Sequence, residues 1–399
     1  MSLQTPVAVS GIGCLCGAGS NLGACLDTLF HGRRQPAPPA RFSSSHPTAY
    51  PVFEIPPEVS LFGTGQKPQL SRTARLVLTA TREALGNSGW DRQWPHNKRI
   101  GVCIGTTVGS TMNDEGFYRK YRRGDQPCIN PIETYLNSNP AQAIAREFDL
   151  SGPCQTVVNA CSSGTDAIGL GAGWIRSGIC DAVIAGGADE LCRVTYDGFI
   201  SLMITDDSPC KPFDATRKGL NLGEGAAILI LESQATLRAR NHPARAFVRG
   251  YGSACDAYHL TAPDPQGQGL RRAIAEALAT SGQTPAAVAF VNAHGTGTRD
   301  NDRIESRVLS ALLPDVPFFS TKGCTGHTLA AAGAIEAAFT VAFLEAQKIP
   351  PSAGFTDPDP DLPASPAKRT IGVSGQIAFS QSLAFGGNNA VIVFGKGDT

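Results

Sequence analysis

Three short segments carry side chains that could do covalent chemistry, and each lies where an apolar run gives way to small residues. The first is Asn159-Ala-Cys161-Ser-Ser-Gly164. The run 156–158 before it reads as a strand, and 162–177 after it reads as a helix with Arg176 in its last turn and Gly178 as its stop. Cys161 then stands at a helix N-terminus, where free N–H groups and the helix dipole favour a thiolate. Most of the 12 cysteines read as small buried hydrophobes. The strand–Cys–small–small–Gly setting marks Cys161 as a nucleophile instead. Gly164, Gly169, Gly171 and Gly173 each weaken that helix by about 1 kcal/mol, so it should survive only if tightly buried.

The second segment is Val291-Asn-Ala-His294-Gly-Thr296-Gly-Thr298. An apolar strand delivers His294 onto a glycine-rich turn flanked by two hydroxyls, with room beside it for a substrate. Asn301 follows with the acids Asp302 and Glu305, and acidic residues are common at a helix start. The third runs from Ser320 through Lys322 to His327 and into a small-residue helix carrying Glu336. A charged Lys322 near the imidazoles would keep them neutral, and Glu336 could pair with it. Spacing implies no contact between Glu336 and His327. One thiol and two histidines, all at strand ends, could meet at one site. An acyl thioester on Cys161 would need an oxyanion hole, which N–H groups of Cys161 and of the 385–387 loop could form. Two neutral imidazoles could donate to the enolate left when a malonyl group loses CO2.

The elements that must position these groups alternate. Runs 6–10, 99–104, 181–185, 226–231, 246–250, 289–292, 317–320, 372–379 and 390–394 read as strands. Stretches 71–88, 162–177, 267–280 and 328–347 read as helices. This pattern predicts buried α/β layers. The chain divides near 233–242 into halves of similar element order, without a visible sequence repeat. Residues 32–57 and 349–366 read as proline-rich surface loops. Gly11-Ile-Gly13-Cys-Leu-Cys-Gly17 resembles a dinucleotide fingerprint, but its third glycine is late and no acidic residue follows at the right distance. A tight strand-to-helix turn is the expectation there.

Composition narrows the function further. The chain has 399 residues, with 34 Lys+Arg against 34 Asp+Glu. A neutral balance argues against nucleic-acid binding through a general basic field. The densest basic patch, 119–123, reads as a solvated face. No CxxC pair suggests a zinc or thioredoxin-type site, and no signal peptide or membrane-spanning run is visible. A reducing, cytoplasmic compartment with free thiols is expected.

These motifs together resemble the β-ketoacyl-[acyl carrier protein] synthases, the elongating condensing enzymes of the thiolase superfamily, over nearly the whole chain. Pro212-Phe-Asp214, Gly223-Glu-Gly225, Asp256-Ala-Tyr-His259 and Phe385-Gly-Gly-Asn-Asn389 add to the resemblance. It implies a thiolase-like α/β fold of two similar halves, 1–235 with the nucleophilic Cys and 236–399 with the two His, in five layers α-β-α-β-α, and a dimer. It implies Cys161 as acyl acceptor, His294 and His327 as the decarboxylation and condensation pair, and Lys322 with Glu336 as their support. Phe385 would be the gate beside the acyl chain, its N–H completing the oxyanion hole. Thr296 and Thr298 would bind the phosphopantetheine arm, delivered on an acyl carrier protein, with no tightly bound cofactor. Asn292, Glu336 and Ser380 match positions that hold a monovalent cation in some relatives. An acidic carrier would dock on basic residues at the pocket mouth, around 119–123 and Lys211.

Some residues depart from the family pattern. Ala384 replaces a glycine, which should stiffen the gate. Lys218 and Leu220 replace common acidic and aromatic residues. The 384–389 tail is similar to condensing enzymes of specialised pathways such as aryl-polyene synthesis. Three alternatives stand beside the condensing enzyme: a non-condensing chain-length factor, which usually lacks the Cys; a degradative thiolase, which needs a second catalytic Cys beyond Cys324; and a nucleotide-binding module.

Overall fold

The computed structural model describes residues 5–62, 70–90, 98–111 and 114–396. Their strands are β1 (Val7–Cys16), β2 (Ile100–Gly105), β3 (Cys154–Val157), β4 (Ala182–Asp189), β5 (Gly225–Glu232), β6 (Ala246–Cys255), β7 (Val288–Asn292), β8 (Phe318–Phe319), β9 (Lys348–Ile349), β10 (Ile371–Gly372), β11 (Ile377–Ala384) and β12 (Asn388–Gly395). Every residue of β1, β4 and β5 is buried. That suits apolar runs covered on both faces.

All but the small β9–β10 pair join one sheet in the order β3-β2-β4-β5-β1-β6-β12-β11-β7-β8. At its centre β1 meets β6 only through residues 7–9 against 246–248. The sheet therefore falls into two five-stranded halves. Numbered within each half, both run third, second, fourth, fifth, first. Orientation matches too: β2 is parallel to β3 and β4, as β7 is to β8 and β11. The remaining pairs β4–β5, β5–β1, β11–β12 and β12–β6 are antiparallel. The similar element order read from the sequence is thus a duplication of topology.

Helix Arg72–Asn87 covers β1 and β5 on one outer face, and helix Gln268–Ser281 covers β6 and β12 on the other. Between the half-sheets lie Ser163–Arg176 and Ala331–Ala346, each touching strands of both halves. The result is the five-layer α-β-α-β-α order. The central position explains the composition of the second of these helices. Every residue from Ala331 to Leu344 is buried, so it has no polar face.

Several sequence readings need correction. The Gly11–Gly17 stretch is neither a phosphate loop nor a strand-to-helix turn, because β1 continues to Cys16. A Cβ on Gly11 or Gly13 would lie 2.2 or 2.0 Å from the carbonyl oxygens of Ala84 and Ala80. These glycines let a helix lie directly on the strand. The run 317–320 shrinks to two strand residues, and 372–379 splits between β10 and β11. The loop 32–57 is anchored rather than merely superficial. Its Arg41 joins Arg72 on the buried Glu224 carboxylate, and Val52, Phe53 and Ile55 are buried.

Gly13→Ala should therefore cost about 1–3 kcal/mol of stability through overpacking. Chemical denaturation checks this, and an unchanged midpoint would refute the close-packing role.

Candidate active site

The two central helices touch at their N-termini because glycine occupies both contact points. A Cβ on Gly164 would lie 2.6 Å from Ala330 O, and one on Gly333 would lie 2.0 Å from Thr165 Oγ1. With hydrogens there, the Gly164 N–H donates to Ala330 O at 3.1 Å. Cys161 and His327 lie just before these helix starts. They meet with His327 Nε2 3.1 Å from Cys161 Sγ.

His294 completes the group, its ring centroid 5.2 Å from that of His327. Its loop follows β7 and is held by a buried carboxylate. Glu305 accepts the N–H groups of His294 at 2.5 Å and Gly295 at 2.7 Å, and Gln381 Nε2 at 2.6 Å. Asp302 accepts from Gly297 N–H at 3.2 Å and Phe213 N–H at 2.6 Å. The sequence presented both acids as ordinary helix-start residues. Their actual work is to fix the histidine loop, and burial raises the pKa of both. Asp189 was also missed. It accepts from Thr106 Oγ1, from the N–H groups of Thr107 and Val108, and from Ala330 N–H at 2.9 Å. It ties the end of β4 to the start of the second central helix. A strand-end Asp preceding a loop was its only sequence signal.

Lys322 is buried, not a surface lysine. Its ammonium pairs with Glu336 Oε1, donates to His294 O at 2.6 Å and lies 3.2 Å from His294 Nδ1. An ammonium can only donate. Nδ1 of His294 is therefore the acceptor, and the ring proton sits on Nε2. Burial, then the Lys322 charge, holds the pKa of both histidines well below the usual value. Both imidazoles are neutral at pH 7. Burial pushes the Glu336 carboxyl up to about 7, opposed by Lys322.

The thiol differs from the sequence expectation. Burial pushes Cys161 up to about 11, against the pull of Lys322 and of the N–H groups of Phe385 and Cys161 itself. The helix start offers little help, because the N–H groups of Ser162, Ser163 and Gly164 are spent on the carbonyls of Asn159, Ala160 and Ala330. The resting sulfur is a thiol bonded to His327. The N–H groups of Phe385 and of Cys161 itself, which favour the sulfur anion, are the pair expected to form an oxyanion hole.

A cavity of about 330 Å³ opens over these groups and is also lined by Thr296, Thr298 and Phe385. The two threonine hydroxyls lie 2.9 Å apart. Phe385 stacks on Phe199 at 5.6 Å, and Phe199 meets the His327 ring edge-on. Phe199 belongs to helix Arg193–Ser201 and carried no sequence signal. Buried Leu220 and exposed Lys218 and Arg299 also line the cavity. Lys211 and residues 119–123 do not line it; the latter belong to the exposed helix Glu115–Arg122 and its C-cap. Asn292 and Ser380 are register partners in β7 and β11, and Asn292 Nδ2 donates to Glu336 O at 3.0 Å. Asn292 Oδ1, Glu336 Oε2 and Ser380 Oγ are buried without a hydrogen-bond partner. Three orphaned oxygens fit a hard monovalent cation.

Models of the beta-ketoacyl synthase N-terminal and C-terminal domains match residues 4–236 and 245–356. The chain belongs to the β-ketoacyl synthase family. It is 32% identical to a 3-oxoacyl-[acyl-carrier-protein] synthase 2 of Synechocystis, covering 98% of each chain. It is also 32% identical to the tetracenomycin polyketide synthase ketoacyl synthase alpha subunit of Streptomyces glaucescens, covering 89% of this chain and 88% of that one. Among solved structures, the ishigamide ketosynthase/chain length factor superimposes with a TM-score of 0.91 at 30% identity, over 99% of this chain and 100% of that one. A ketosynthase in complex with its chain length factor from Xenorhabdus doucetiae gives 0.85 at 29%, over 99% and 98%. This β-ketoacyl synthase is an acyltransferase-class condensing enzyme that makes 3-oxoacyl thioesters.

Because Lys322 lowers both imidazole pKa values, Lys322→Met should raise them. Neutral imidazole exists only above its pKa, so the acid limb of malonyl decarboxylation should move to higher pH. A pH–rate profile checks this; a limb unmoved by the substitution would contradict it.

Proposed function

We propose that Cys161 accepts an acyl group from a carrier protein and that His294 and His327 then drive condensation with malonyl-carrier protein. The observation that carries this reading is the 3.1 Å contact between His327 Nε2 and the Cys161 thiol beside a second neutral imidazole. In the first step Sγ attacks the incoming thioester while its proton passes to His327 Nε2. The carbon–sulfur bond to the carrier then breaks and His327 hands that proton to the departing sulfur, so the carrier leaves as a thiol and the imidazole is neutral again. In the second, with the thiol acylated and the single ring proton of His327 on Nε2, loss of CO2 from the malonyl group leaves an enolate whose oxygen accepts from Nε2–H of both His294 and His327. Its carbon attacks the Cys161 thioester. The N–H groups of Cys161 and Phe385 hold the resulting oxyanion, which collapses to the 3-oxoacyl product and frees Sγ.

Glu336 and Lys322 support His294, and Thr296 with Thr298 would bind the phosphopantetheine arm. Phe385 is the gate, with Ala384 stiffening its hinge. Asn292, Glu336 and Ser380 would hold a monovalent cation, which would neutralise buried oxygens and stiffen the His294 strand. Residues 1–235 and 236–399 form the two functional halves. The 12 cysteines, none of them in a disulfide although Cys16 and Cys25 lie 3.7 Å apart, support a reducing, cytoplasmic setting.

Partners follow from the same chemistry. An acyl carrier protein brings both substrates, and its acidic surface would meet Lys218 and Arg299 at the mouth. Charge reversal at these two should raise KM for carrier-bound but not small thioesters. The likeness to ketosynthase/chain length factor structures supports assembly with a ketosynthase-like subunit, the alternative being a dimer with a second copy of this chain. It also keeps the chain-length-factor reading in view, but the complete Cys161–His294–His327 set favours the condensing role. A specialised polyene or polyketide pathway and primary fatty-acid elongation are separated by which acyl chain loads best.

Intact-protein mass spectrometry with carriers of varied acyl chain tests the reading. Wild type should gain the acyl mass and Cys161→Ala should not. An acylated Cys161→Ala protein would sink the assignment, and no loading of wild type would favour the partner-dependent subunit.

A further inference from the structure

Asp166 is a buried carboxylate that the mechanism above does not use. It lies in the first turn of the Cys161 helix, five residues past the sulfur. Three side chains donate to it. Asn159 Nδ2 and Ser162 Oγ share Oδ2 at 2.6 and 2.8 Å, and Tyr251 Oη donates to Oδ1 at 2.7 Å. Asn159 and Ser162 bracket the Ala160–Cys161 peptide. Ala160 has φ +49°, the left-handed region that a residue with a Cβ adopts only when its surroundings enforce it. Two more bonds close the turn, from Asn159 N–H to Ser163 Oγ at 2.7 Å and from Ser163 Oγ to Ala160 O at 2.6 Å.

Tyr251 comes from β6 in the other half of the chain. Its ring lies in a slot made by Gly169, one turn beyond Asp166 on the same helix. A Cβ on Gly169 would lie 2.6 Å from the Tyr251 ring. Thus a glycine, a carboxylate and a tyrosine are matched across the two halves, and their joint product is the orientation of the turn that carries Cys161.

We propose that Asp166 and Tyr251 form a positioning clamp that aims the Cys161 thiol at His327 for acyl transfer. The proposal rests on Cys161 being the acyl acceptor. The clamp touches neither substrate nor the His294–Lys322 pair, so it should govern acylation and leave malonyl decarboxylation largely alone.

The test compares wild type, Asp166→Asn and Tyr251→Phe in two assays, acyl loading of Cys161 and release of CO2 from malonyl-carrier protein, with melting temperature measured alongside. Tyr251→Phe keeps the ring in its slot and removes only the inter-half hydrogen bond. Loading should fall about tenfold or more in Asp166→Asn and by a smaller factor in Tyr251→Phe, on the scale that slight misplacement costs. Decarboxylation should stay within about twofold. Equal losses in both assays that follow the melting temperature would overturn the clamp in favour of plain structural support. Unchanged loading in both variants would overturn it as well. If wild type itself neither loads nor decarboxylates, the fault lies with the proposed function rather than with the clamp.

Discussion

The catalytic geometry depends on one close approach. Two buried helices meet end to end at Gly164 and Gly333, and no side chain larger than hydrogen fits at either point. Interiors packed to crystal-like density do not absorb an extra methyl freely. Separating these helix starts by even a methyl radius would draw Cys161 away from His327. The glycines that weaken the first helix by propensity are thus required by its position. Burial between two sheets restores the stability that its composition lacks.

That burial also sets the electrostatics. Water is nearly excluded from the thiol, both imidazoles, the lysine and its glutamate. Desolvation keeps the histidines neutral, each with one ring N–H left to donate to an enolate, and it raises the thiol by the same physics. The lone ammonium of Lys322 acts on all three groups. It repels protons from the imidazoles, favours sulfur anion, and fixes the tautomer of His294. A second tier of acids, Asp189, Asp302 and Glu305, carries no reacting atom. Each gathers backbone N–H groups from loops that would otherwise be free to move.

Much of the site was legible because its chemistry sits at strand ends followed by small residues. Cys161, His294, Lys322 and His327 all carry that mark. Glu305 and Asp302 were misread because an acid near a helix start has a common and duller explanation, and only the fold shows them turned inward. The thiolate expectation failed for a related reason: nothing in the sequence reveals that the helix N–H groups are already engaged by Ala330 and the preceding turn. Alternation of strands and helices disclosed the α/β class and the paired halves. The order of ten strands was not legible, since it depends on pairings such as Val7 with Val248 that span most of the chain.

The repeated strand order has a consequence for inheritance. Cys161 and His327 occupy corresponding turns, each just before the central helix of its half. An ancestral duplication would have supplied one turn twice, and divergence then gave one copy a sulfur and the other a base. The reacting pair straddles the seam between the copies. Recombination between genes of this kind near residue 240 would join sulfur and base from different parents, so selection should keep the two halves travelling together.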